Sequence, residues 1–375
     1  MKKKLSLALG VLCSLFILFG AASCSGDSSD GAIYAVLIGN ASGTGGVTPA
    51  VDDVPKFTSF TIPLASTTKE GSLVTAKIVG ENFDKPATDL GNFSASCATS
   101  SITANANFTK ESDSVLYVTL KIPGTAGEYS ITVSYGSNSK TGILKAQDFS
   151  AYKVGDVLLN DGTIVRYTEN PTFTDEQKSK AVGVMYAFNE YGAPAGWLGL
   201  HNSTVGTNSG DYMWANSGAT GCNTNFTDIQ CTPSQTGIGA ASAATFTGDT
   251  DGSDNWAYIC SLDPQGSADA ATNYPAFNYA NKYAETFSLT GAYATGWYMP
   301  SIAELSYIYR NKTTLNTVLQ ALGGTELASG VYYWSSSQYS DSAINAWILY
   351  FSDGNLGINH KDNDFRVCCV RAFSN

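Results

Sequence analysis

Few residues in this 375-residue chain have the types and spacing for chemistry. Cys368 and Cys369 are adjacent, and a cysteine pair can cycle between dithiol and disulfide. Neighbours on a strand point to opposite faces, however, so the pair reads as one core thiol and one that is paired or free. Asp249, Asp251 and Asp254 fall in GDTDGSDNW. Three carboxylates around a glycine turn can chelate a hard cation, and calcium is the cofactor they would take. Their spacing departs from the EF-hand pattern, and the same turn can serve only to hold Trp256 in the core. No other cofactor is required. The two histidines, His201 and His360, are far apart and no CxxC occurs, which argues against structural zinc. Without a Ser–His–Asp grouping or a phosphate loop, the expectation is a protein that is not an enzyme.

Recognition is the chemistry left. Between Tyr332–Trp334 and Val367–Phe373 runs a polar stretch rich in Ser, Asp, Asn and Gly. In AWILYF, alternation predicts Trp347, Leu349 and Phe351 facing inward and Ile348 and Tyr350 outward. The candidate ligand-binding set is Tyr339, Asp341, Ser342, Ile344, Asn345, Ile348, Tyr350, Asn355, Gly357, Asn359, His360, Asp362, Asn363 and Asp364. Antibody loops use the same mix: Tyr for rigid contact area, Asn, Ser and Gly for adaptable hydrogen bonds. A solvated hairpin without function would share this composition.

Elements must position these residues. Short β-prone runs at Leu73–Val79, Val115–Ile122 and Tyr129–Tyr135 are separated by turn signals, GENF, PGTAGEY and YGSNSKTG. Residues 55–150 therefore read as an all-β, immunoglobulin-like sandwich. The region 151–375 has a different texture. A hairpin turns at Asn160-Asp161-Gly162, a short helix covers Thr174–Lys180, and Ala181–Phe188 is a strand. Residues 202–255 read as a long loop region, and Ala276–Phe287 as a helix. A further helix starts at the Ser301/Glu304 capping box and runs to Gly323-Gly324. The class is mixed: a β-sandwich followed by an α+β domain.

The first residues read as a signal peptide, 1–23, with Lys2–Lys4 before the apolar run Leu5–Phe19. Cys24 after Ala-Ala-Ser resembles a lipobox cysteine, with Ala21 where Leu is usual, so Cys24 is the expected lipidation site and 24–54 a tether. The expected location is the bacterial envelope, at the outer membrane surface, with the membrane engaged through the lipid. The net charge of −11 becomes −14 once the three leader lysines are removed, which argues against a nucleic-acid partner. Export permits disulfides, and Cys222 and Cys231, bracketing a short polar loop, are the expected pair.

Three motifs in order, GWYMPSIAEL (Gly296–Leu305), YYWSSS (Tyr332–Ser337) and RVCCVRAF, resemble the C-terminal domain of a collagen-like adhesin, also found in exported lipoproteins. The likeness spans about Tyr152 to Phe373. Cys368 departs from it, standing where Arg is common. The resemblance implies a C-type-lectin-like fold of the formylglycine-generating-enzyme type, and an oxidase of that type is the alternative function; a structural envelope lipoprotein is another. The GENF and PGTAGEYSITV segments resemble IPT/TIG domains, which implies a spacer or binding module. The resemblance extends to variable proteins of diversity-generating retroelements. There, adenine mutagenesis of Asn codons yields Ser, Asp, Ala, Ile, Tyr, Gly, His or Phe, but not Lys, Glu, Gln, Met or Trp. From Tyr339 to Phe365 only Trp347 and Lys361 lie outside the reachable set. The implied partner is a protein or glycan ligand on another cell or surface.

Overall fold

A computed structural model describes residues 54–85, 89–204 and 211–373. The leader, Cys24 and nearly all of the tether lie outside the described residues.

Two four-stranded sheets form the N-terminal unit. The first has the order Lys56–Thr61, Leu73–Glu81, Val115–Lys121, Asn107–Lys110, all antiparallel. The second runs Ala65–Ser66, Asn138–Gln147, Gly127–Tyr135, Phe93–Ser96. Each sheet buries one face, so apolar residues alternate with polar ones. Val74, Ala76 and Ile78, with Val118 and Leu120 beside them in the same sheet, share one core with Ile131, Val133 and Leu144 of the second sheet. The GENF turn works through its backbone. At Gly80 a Cβ would sit 1.9 Å from the Lys56 carbonyl oxygen, and Asn82 takes a left-handed φ of 66°. Phe83 then drops into the core.

The C-terminal unit is mixed, as expected. A six-stranded sheet has the order Ile164–Val165, Val157–Leu159, Ala181–Phe188, Pro194–Asn202, Cys368–Ala372, Trp297–Tyr298. A five-stranded sheet follows the order Asp211–Met213, Asp364–Arg366, Tyr332–Gln338, Asn345–Tyr350, Asn355–His360. The expected single helix after Ser301 is two, Ile302–Arg310 and Lys312–Leu322. The break falls at Asn311, whose Nδ2 donates to the carbonyls of Tyr186 and Tyr307, each at 3.0 Å. The helix expected over Ala276–Phe287 is likewise two, Pro275–Asn281 and Tyr283–Thr286. The region read as a long loop holds a short two-stranded ribbon, Cys231–Pro233 with Phe246–Gly248, besides several 3₁₀ turns.

The five-stranded sheet has a core on each side. Tyr333, Trp347, Leu349 and Phe351 pack with the two helices. Trp334, Ala346 and Ile348 pack on the other side with Trp214 and Phe226. Ile348 is therefore buried, contrary to its expected outward position, because its face is covered as well.

Candidate functional site

The covering of that second face is incomplete. Along its edge, Phe365, Tyr332, Tyr350 and Asn355 form a row across four strands. Tyr332 pairs with Tyr350 in register, and Tyr350 with Asn355. The rings of Tyr332 and Tyr350 lie 4.5 Å apart between centroids, and those of Tyr332 and Phe365 5.4 Å. All three rings are half-buried. Such ring pairs hold each other's geometry at about 0.5–1.5 kcal/mol per contact. The row is thus rigid before any ligand arrives.

Polar residues line its side. Gly357 lies opposite Ile348 and Asn359 opposite Ala346, both on the ring face. A Cβ added at Gly357 would meet only Ile348, at 3.8 Å, so a side chain fits there. The nearby turn glycine Gly354 differs: its φ is 73° and a Cβ would lie 2.7 Å from the Tyr309 ring. One glycine is open surface and the other is scaffold.

The structure divides the rest of the expected set. Asn345 and His360 pair with each other on the opposite face of the hairpin. Tyr339 lies edge-on to Trp347 at 5.3 Å and donates to Asp341 Oδ2 at 3.0 Å. Asp341, Ser342 and Ile344 belong to the loop before Asn345, and Asp362 and Asn363 to the turn after His360. Asp364 starts the strand that carries Phe365. Tyr350 and Asn355 are brought together in register, and Gly357 and Asn359 follow along the same face, Asn359 with its Oδ1 taken by the His360 amide and Asn363; Ile348, opposite Gly357, is buried. Tyr332 and Phe365 were not in the expected set, although Tyr332 shares the period-two face of Trp334, and that spacing was the available signal.

Lys361 anchors the hairpin. It is fully buried, and Nζ donates to the carbonyls of Gly221 (3.0 Å) and Thr224 (2.9 Å) and to Gln338 Oε1 (2.8 Å). Three acceptors match the three N–H groups of an ammonium. The rings of Trp214 and Phe226 flank it at 4.6 and 5.0 Å. Burial pushes its ammonium down to about 7.

Two expectations are corrected here. Cys222 and Cys231 are not bonded to each other; both are free. Cys222 belongs to the core beneath the ring face and Cys231 to the helix-side core, so packing separates them. Asp249, Asp251 and Asp254 do not converge on a cation. Among the described residues, no group of three or more His, Cys, Asp or Glu side chains has the arrangement to hold a metal ion. Asp251 is spent on its own turn, with Oδ1 accepting from the Ser253 amide at 3.0 Å. Asp249 is buried instead against Lys77 of the sandwich, with Oδ1 3.6 Å from Nζ. Cys368 and Cys369 enter different cores, and burial holds both thiols up, Cys368 to about 12. Little thiolate forms at neutral pH in such surroundings.

No curated protein matches the chain in sequence. Among solved structures, a fimbrial protein from Bacteroides ovatus ATCC 8483 is similar at 14% identity and a TM-score of 0.41, over 75% of this chain. This chain spans 64% of that protein's length. Yersinia pseudotuberculosis adhesin InvE aligns at 12% identity over 83% of this chain and 97% of its own, with a TM-score of 0.18. Domains 4 and 5 of the S-layer protein SbsC align at 13% identity over 25% of this chain and 53% of theirs, at 0.17. Identities and scores this low fix neither fold nor function. The family comparison is more specific: residues 203–371, which hold the entire five-stranded sheet with its ring face, match the Lcl C-terminal domain.

Proposed function

We propose that this chain is an exported, lipid-anchored surface protein that recognises a macromolecular ligand, protein or glycan, through the ring face of its C-terminal unit, without catalysis. The observation that carries the reading is the row Phe365–Tyr332–Tyr350–Asn355, preassembled on a sheet whose strands are packed on both sides. Half-exposed tyrosines supply contact area at low conformational cost, and the flanking asparagines supply adaptable hydrogen bonds. The acidic chain disfavours nucleic acid as the partner, and the buried high-pKa thiols disfavour the oxidase alternative.

The same arrangement suits diversification. Trp347 and Lys361, the two residues beyond the reach of adenine mutagenesis of Asn codons, are both buried scaffold. Gly357 and Asn359, within reach, lie on the same face of the hairpin as Tyr350. A neighbouring reverse-transcriptase gene, with a near-copy of the coding segment differing at adenines, is the expected genomic observation.

The direct test is binding of the full chain to a glycan array and to layers of host and bacterial cells. The double variant Tyr332→Ser/Tyr350→Ser is expected to lose at least tenfold in binding while keeping its fold by circular dichroism. Retained binding in a folded double variant would sink the assignment.

A further inference from the structure

The sandwich and the C-terminal unit enclose a cleft of about 470 Å³, on a different part of the molecule from the ring face. Asp249 lines it. Its Oδ1 faces Lys77 at 3.6 Å and accepts from the Asp251 amide at 3.4 Å, but Oδ2 is buried with no hydrogen-bond partner among the described residues. The residue is only 7% exposed. A carboxylate oxygen removed from water and left unpaired costs free energy, and native proteins rarely leave one so. Something with a donor belongs there.

The lining says what kind. Among the described residues, five acidic side chains border the cleft, those of Glu190, Asp249, Asp251, Asp254 and Glu304, against one cation, Lys77. Glu304 is internally satisfied, accepting from the Tyr186 and Tyr298 hydroxyls and from the amides of Gly252 and Ser301. Asp251 and Asp254 are exposed and add acidic oxygens to the lining. The half-buried rings of Tyr117, Phe246 and Tyr307 complete the walls. An acidic cleft with aromatic sides suits an organic cation, attracted by the carboxylates and by the ring faces. A bare divalent ion is a poorer fit, since no three carboxylates among the described residues converge.

We infer that this cleft binds a small organic cation, a primary ammonium on an apolar or aromatic body, whose N–H group pairs with Asp249 Oδ2. The ammonium could belong to a free amine or to a lysine side chain presented by a partner.

Titration calorimetry on the full chain with phenethylamine, and separately with Nα-acetyl-lysine amide, tests this, with 2-phenylethanol as the uncharged control. Saturable binding of at least one amine is expected, at least tenfold tighter than the alcohol, and the tighter of the two names the source. Asp249→Asn is expected to weaken it at least tenfold, while Tyr350→Ser on the ring face leaves it unchanged. Should Asp249→Asn fail to fold, Lys77→Ala serves instead. It removes the competing ammonium, so amine binding should tighten severalfold and added amine should raise the variant's Tm more than that of the parent chain. Absence of amine binding, equal binding of the alcohol, or displacement of the amine by millimolar calcium would overturn the inference.

Discussion

Lys361 shows how one side chain can separate scaffold from surface. It sits in a polar run, between exposed His360 and Asp362, and composition alone makes it a solvated residue. The structure buries it completely and gives its Nζ three oxygen acceptors. Lys361→Met keeps most of the volume but strands the Thr224 carbonyl and takes a charged donor from the Gly221 carbonyl and from Gln338 Oε1, which keep the Thr224 and Phe226 amides. Unpaired buried acceptors cost about 1–3 kcal/mol each before relaxation. We expect a net loss of roughly 1–3 kcal/mol in urea unfolding, whereas His360→Ala next to it should change stability by less than about 0.5 kcal/mol. Equal effects of the two substitutions would mean that Lys361 does not anchor the hairpin. Its role was legible only indirectly, as one of two residues outside the mutable set. Nothing local distinguishes a buried Lys, because its partners lie on loops more than a hundred residues away or across the hairpin. The same holds for Asp249, whose partner Lys77 comes from the sandwich.

At the level of elements, legibility followed the number of buried faces. The sandwich strands are covered on one side, so alternation placed them well: Leu73–Glu81 and Gly127–Tyr135 extend the expected runs by only two residues at one end. The five-stranded sheet is covered on both, alternation loses its meaning, and Ile348 was misplaced for that reason. Capping signals fared well because they are local. The Ser301/Glu304 box is present, but it does more than start a helix. Glu304 collects four donors and is buried. Burial, helped by the Asp251 carboxylate, pushes its carboxyl up to about 7, against a countervailing pull from its donors. The folded chain then keeps a proton between about pH 4.5 and 7 that the unfolded chain has released. Folded protein binding more protons means that stability falls as pH rises through this window, by roughly 3 kcal/mol at most. Urea midpoints measured at pH 5 and pH 8 should show this fall. Glu304→Gln should lower the pH 5 value and flatten the slope. An unchanged slope in that variant would assign the pH dependence to other groups.

Across the whole molecule, the N-terminal sandwich is more than a spacer lifting a binding domain. Tyr191, from the turn between two strands of the six-stranded sheet, inserts into the sandwich core and is 9% exposed. Its hydroxyl accepts from the Thr75 amide at 3.2 Å, and its carbonyl accepts from the Ser66 amide at 2.9 Å. Asn189 Nδ2 donates to the Leu64 carbonyl at 3.0 Å. At a second point of contact, Phe149, Tyr152 and Phe373 pack edge to face at 5.5–5.7 Å, tying the end of the sandwich to the last described residue. Two such ties hold the walls of the acidic cleft in register, so the cleft exists only while both units are docked. Tyr191→Ala removes the inserted ring and leaves a cavity in the sandwich core, at a cost of about 3–5 kcal/mol by analogy with Phe→Ala. Calorimetric unfolding of the parent chain should give one transition, because the two cores share a residue. In Tyr191→Ala the sandwich should melt first, as a separate transition at lower temperature. Amine binding in the cleft should fall with it, while ligand binding at the ring face, built wholly within the C-terminal unit, should persist. A single unshifted transition in the variant would show that Tyr191 does not couple the two units.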